Sequence, residues 1–226
     1  MHEWVRAARE GLADVADPAA AEPMRAYMKS EMPFRGVPKP ARERLLRTLV
    51  AAHPLDDADE LLAVADTLWT GAAYREERYL AIALLGHRRY ASWARPGWVP
   101  VHRRWIVSGG WWDFTDEIAN RHIAPLLRAH RGELTPVVRG WISDPDRWLR
   151  RTSVICQLQS GAQTDLDLLR DAIEANQHDP DFFLRKGIGW ALRQYARVDA
   201  GWVRAFVDEH PDLSPLSRRE ALKHIG

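Results

Sequence analysis

Apolar residues recur every three to four positions along most of this chain. Leu45, Leu46 and Leu49 form one such stripe, and Tyr79, Ile82, Ala83 and Leu85 another. That spacing predicts α-helices, and no stretch alternates strictly for long enough to predict a strand. Breaks recur at Pro38 and Pro40, His53-Pro54, Thr70-Gly71, Arg95-Pro96-Gly97, Ser108-Gly109-Gly110, Ser143-Asp144-Pro145 and Asp179-Pro180. They leave segments of roughly 10–18 residues, an ordinary helix length. Ser143-Asp144-Pro145 and Asp179-Pro180 read as helix starts with proline in the first turn.

Helices of similar length joined by short turns suggest antiparallel pairs. Three pairs are predicted: 56–69 with 74–90, 133–143 with 146–159, and 164–177 with 181–197. Each pair with its linkers spans about 35–40 residues, the size of a HEAT-type repeat. The expected fold is therefore all-α: a superhelical stack of antiparallel helix pairs, an α-solenoid with one long concave face. No glycine- or serine-rich linker divides the chain, so residues 1–226 are expected to form one domain.

The 226 residues, 46% hydrophobic and 28% charged, have the composition of a globular protein with a substantial core. No apolar run approaches the roughly 18 residues of a membrane span. The first residues lack the charged-then-apolar order of a secretion signal. The single cysteine, Cys156, sits in the apolar run Val154-Ile155-Cys156-Gln157-Leu158 and reads as core filler. A reduced, cytoplasmic setting is expected. Most of the eleven tryptophans should fill a helical core.

The net charge of +1 does not by itself point to nucleic acid. Local charge is more informative. Residues 35–47 hold Arg35, Lys39, Arg42, Arg44 and Arg47 against Glu43 alone. Arg147, Arg150 and Arg151 form a second group, and Arg185, Lys186, Arg193 and Arg197 a third. Basic residues on one face could follow a phosphate backbone. Charge alone favours the plainer reading, the solvated or paired surface of ordinary helices.

Familiar catalytic signatures are missing. There is no phosphate-binding glycine loop, no His-Glu-x-x-His and no Gly-x-Ser-x-Gly. The nine histidines are scattered without metal-ligand spacing, so neither a metal nor a cofactor is expected. Three segments stand out instead. In Gly109-Gly110-Trp111-Trp112-Asp113-Phe114-Thr115-Asp116, Trp112 and Asp116 lie four apart and share a helix face. A ring beside a carboxylate suits a cationic ligand. The same residues could be a core tryptophan and a capping carboxylate. In Asp146-Arg147-Trp148-Leu149-Arg150-Arg151, Trp148 lies three before Arg151, whose planar fork matches two phosphate oxygens. In residues 181–196, Lys186, Trp190 and Arg193 form one helical stripe, while Gly187 and Gly189 indicate close backbone packing.

Together these segments resemble the AlkD-type DNA alkylation repair glycosylases. The matching stretches are Trp-Trp-Asp-x-x-Asp at 111–116, Trp-Leu-x-Arg at 148–151, and Phe-Phe-x-x-Lys-x-Ile-Gly-Trp-x-Leu-Arg-x-Tyr-Ala at 182–196. Tyr27-Met28-Lys29, Glu77-Arg78-Tyr79 and the stretch from Leu213 to Ala221 support them. The resemblance implies an all-helical fold of HEAT-like repeats. It implies excision of cationic N3- and N7-alkylated purines from duplex DNA without a metal; a monomer is the simplest reading of the chain. It assigns Asp116 as the catalytic carboxylate and Trp112 and Trp190 as aromatic walls of the site. Arg151 would hold the DNA backbone near the lesion. Lys186, Arg193, Tyr27 and Trp148 would make further DNA contacts. The competing reading is a non-catalytic helical scaffold that binds DNA or protein, which most of the chain fits equally well.

Overall fold

The computed structural model describes residues 2–225. Among them there are fourteen α-helices, a few short 3-10 and π turns, and no strand. Packing divides the chain into two compact units at Ala94/Arg95. No composition break marks that boundary, which falls between two short 3-10 turns, Arg88–Trp93 and Pro96–Trp98.

The first unit holds α1 (Glu3–Asp14), α2 (Pro18–Met28), α3 (Lys39–Ala52), α4 (Ala58–Thr70) and α5 (Arg75–Leu85). The pair predicted at 56–69 and 74–90 is α4 with α5, and the two pack together closely. Their shared core is Leu61, Val64, Leu68, Trp69, Leu80 and Leu84. Of the stripe predicted on α3, Leu46 and Leu49 are buried, while Leu45 lies at the rim. Two carboxylates at the start of α5 are buried for structural reasons. Glu76 accepts the backbone N–H groups of Arg35 and Val37 at 3.0–3.1 Å, tying down the segment before α3. Glu77 accepts those of Ala73 and Tyr74 and pairs with Arg9 at 2.8 Å.

The second unit begins with α6 (Val99–Gly109) and α7 (Trp112–Ile118). Gly110 closes α6 at φ +52°, a left-handed turn that suits glycine. From α7 the helix runs without a break through a π turn (Ala119–Ile123) into α8 (Ala124–Ala129). In the wide turn the N–H of Ala124 donates to the carbonyl of Ala119, five residues back. Pro125 follows at once. In a regular helix its ring would strike the carbonyl four residues earlier, and the widened turn relieves that clash. Then come α9 (Arg131–Trp141), α10 (Arg147–Ile155), α11 (Leu166–Glu174), α12 (Phe182–Tyr195), α13 (Ala200–Glu209) and α14 (Pro215–Leu222).

The helices of the other two predicted pairs are α9 and α10, and α11 and α12, each within a few residues of its expected bounds; α9 packs on α10, whereas α12 packs chiefly on α14 and α10 and not on α11. The helix starts differ. Asp146 and Asp181 cap α10 and α12, each accepting two backbone N–H groups of the first turn at 2.8–3.1 Å. Pro145 and Pro180 therefore precede the helices instead of lying in their first turns. A carboxylate satisfies orphan N–H groups and complements the helix dipole, which a proline cannot do. The core of this unit draws on Val154, Ile155, Ile173, Ile188, Leu192 and Phe206. Cys156 is fully buried, and desolvation pushes its thiol up to about 12, so it is filler and not a nucleophile.

Six tryptophans are buried: Trp4, Trp69, Trp98, Trp105, Trp141 and Trp148. The other five, Trp93, Trp111, Trp112, Trp190 and Trp202, are half-buried. No described helix is long and apolar enough to cross a membrane.

Candidate functional site

The best-defined polar feature of the second unit is a carboxylate–guanidinium pair that joins two segments found in the sequence. Asp116 lies on α7, one turn after Trp112. Its Oδ1 accepts from Nε of Arg151 at 2.8 Å, and its Oδ2 from Nη2 at 2.8 Å. This is the bidentate fork that guanidinium and carboxylate planes favour. Asp116 does not cap its helix, because α7 begins at Trp112, four residues earlier. The side chain of Asp116 is 16% exposed and that of Arg151 only 4%.

Two effects oppose each other at Asp116. Burial pushes its carboxyl above the usual carboxylate range, and the negative groups Asp113 and Glu117 add to that. The hydrogen bonds and charge of Arg151 pull it back down. Asn120, at the start of the π turn, donates from Nδ2 to the backbone carbonyl of Asp116 at 2.8 Å. The carboxylate is thus gripped from α10 and its helix is tied from the turn behind it.

Arg151 makes a third hydrogen bond. Its Nη1 donates to the carbonyl of Phe183 on α12, the helix that carries Lys186, Trp190 and Arg193. One buried side chain therefore links α7, α10 and α12. Space for it comes from Gly187, where a Cβ would lie 2.9 Å from Nη1. Arg151 was expected at a phosphate. Here its guanidinium is buried and spent on protein acceptors, so that contact is not available in this arrangement.

Trp148 also departs from expectation. It is 3% exposed and packs with Trp111 and Phe183, with ring centroids 6.1 and 5.1 Å away. The apolar demand of its indole outweighs the pull of neighbouring arginines, which makes it core and removes it from the DNA contacts. The other arginines of that segment are paired as well. Arg147 reaches Asp181 at 3.1 Å, and Arg150 reaches Asp179 at 2.9 Å. The paired-surface reading of residues 147–151 is the one the structure bears out.

The chain matches the model of the family described as DNA alkylation repair enzyme over residues 8–225. It belongs to the DNA alkylation repair enzyme family. A solved structure from Enterococcus faecalis, described as a predicted DNA alkylation repair enzyme, is 29% identical. It superposes with a TM-score of 0.82, covering 93% of this chain and 97% of that one. The structure of smu.31 from Streptococcus mutans UA159 is 15% identical with a TM-score of 0.61, covering 83% and 99%, and shares the fold. No curated protein matches the chain.

Within this DNA alkylation repair protein the remaining expected residues fall as follows. Trp112 and Trp190 are half-buried. Lys186 and Arg193, one turn either side of Trp190, both pair with Glu220 of α14, Lys186 at 2.7 Å. Glu220 is held below its usual range, chiefly by the Lys186 hydrogen bond. Tyr27 belongs to the first unit, near the end of α2, and is 77% exposed.

Sequence reading missed Glu220 and the true partner of Arg151. Each partner lies more than twenty residues away in the chain, beyond the reach of helix periodicity. It also missed a buried histidine pair behind the site. His102 of α6 is fully buried, 5.0 Å from His122 of the π turn, and neither of its ring nitrogens has a hydrogen-bond partner. Desolvation, then His122, holds His102 well below its ordinary range, so it is neutral. Among the described residues no group of three or more His, Cys, Asp or Glu could hold a metal ion.

Proposed function

We propose that this family member is a monomeric DNA glycosylase of base excision repair that acts on duplex DNA of the nucleoid. It hydrolyses the N-glycosidic bond of cationic N3- and N7-alkylated purines. The observation that supports this best is the Asp116–Arg151 pair: a largely buried carboxyl group held in a fixed orientation by a guanidinium, one turn from a half-buried tryptophan.

The chemistry follows from the substrate. An alkylated purine is already positive, so the electrons of the breaking C1′–N bond neutralise it and it leaves without a general acid. The positive charge passes to the deoxyribose. Asp116 stabilises that charge by Coulomb attraction in a partly dry site. Arg151 occupies one lone-pair direction on each oxygen, and those left over can accept from a water. The water adds to C1′, and its proton passes to the carboxylate or to solvent. Trp112 and Trp190 present ring faces that favour a cationic sugar. Lys186, Arg193 and Tyr27 are assigned to the DNA backbone.

The competing reading, a scaffold without catalysis, draws support from Glu220, which already occupies Lys186 and Arg193. Release of 7-methylguanine from methylated duplex DNA separates the two. The wild type should release the base, Asp116→Asn should do so at least about a hundredfold more slowly, and excess chelator should change neither rate. Equal rates for wild type, variant and buffer would remove the glycosylase assignment.

A further inference from the structure

Gly187 sits inside α12 with ordinary helical backbone angles and is buried. A glycine there costs about 1 kcal/mol relative to alanine. Nothing in the backbone conformation calls for it, so the reason must lie in the space its side chain would fill. A Cβ on Gly187 would come within 2.9 Å of Nη1 of Arg151 and 3.3 Å of Cγ2 of Ile155. Both neighbours are side chains, and the nearer is the end of the guanidinium that grips Asp116.

We propose that Gly187 is a positioning residue for Asp116: its missing side chain is the seat of the Arg151 guanidinium. This rests on the reading of Asp116 as the catalytic carboxylate. The fork has little freedom to yield. Two of its nitrogens are fixed by Asp116 and the third by the Phe183 carbonyl, one turn before Gly187 on the same helix. Displacing Nη1 must tilt the guanidinium plane out of the carboxylate plane. The charged groups acting on Asp116 are Arg151 from α10 and, on its own helix, Asp113 and Glu117. Loosening Arg151 leaves burial and two like charges in control.

The test is a double-mutant cycle read by NMR titration of the Asp116 carboxyl, assigned with Asp116→Asn, in wild type, Gly187→Ala, Arg151→Lys and Gly187→Ala/Arg151→Lys. Gly187→Ala should move the titration midpoint up by about one pH unit, part of what an adjacent cation supplies. In the Arg151→Lys background, where Nη1 is gone, the same alanine should move it little further. Equal midpoints in wild type and Gly187→Ala overturn the proposal, as does an equal shift in both backgrounds. If Gly187→Ala does not fold but the double variant does, the obstruction by Nη1 stands. If neither folds, the fault lies with Ile155 and the proposal falls. The titration uses no DNA, so a wild type that releases no 7-methylguanine would remove the catalytic reading while leaving this result legible.

Discussion

Arg151→Ala is the most exacting test of the Asp116–Arg151 pair. The substitution strips its cation from Asp116, whose side chain is 16% exposed in the intact pair. Breaking a buried ion pair by removing one partner costs about 3–5 kcal/mol. Some water reaches Asp116, which places the loss near the lower end, about 3 kcal/mol. For a chain of this length each kcal/mol lowers Tm by about 2–4 °C, so a drop of about 6–12 °C is expected. The pH dependence is the sharper part. Without Arg151 the folded-state carboxyl rises further above its unfolded value. A group raised in this way favours the fold below the unfolded value and withdraws that support as pH rises through the folded one. The variant should therefore be least impaired near the unfolded carboxyl value, about pH 4, and more impaired as pH rises above it toward pH 8. Thermal melts of both proteins across that range measure it. A Tm difference under 2 °C, or one that does not grow with pH, would mean that the fork contributes no more than a surface pair.

His102 gives the opposite slope. Its folded value lies well below 6.5, so the unfolded chain takes up a proton first and stability drains away as pH falls from about 6.5. Melts of wild type should show this loss and those of His102→Phe should show less; parallel curves would clear His102 of the effect. For Glu220→Gln, two cations lose their carboxylate. If Lys186 and Arg193 meet phosphates, duplex binding should tighten and its salt slope steepen by about one to two. An unchanged slope in filter-binding or anisotropy titrations would place both cations outside the DNA contacts.

The helical period carried most of the fold. All six helices of the predicted pairs exist, because each buries a stripe and the breaks between stripes are short; two of the three pairs pack as expected, while α12 turns to α10 and α14 instead of α11. What period could not show was partnership at a distance. Trp148 and Arg151 lie on one helix, and the sequence placed a ring beside a cation. It took packing to show that the ring turns into an aromatic cluster and the cation turns to Asp116, 35 residues away. Two aspartates had a simple meaning that the neighbouring prolines obscured: Asp146 and Asp181 start their helices. Gly187 was legible as a sign of close packing, but not as the place where a guanidinium rests.

The π turn behind Asp116 also constrains how this protein can change. Successive residues of a helix are set about 100° apart. The one surplus residue between Ala119 and Ile123 therefore offsets the azimuth of Leu126 and Leu127 from that of Trp112 and Asp116. Deleting a single residue there would straighten the rod and swing either the carboxylate off its arginine or the two leucines out of the core. Length at this point is as tightly specified as the identity of any side chain nearby.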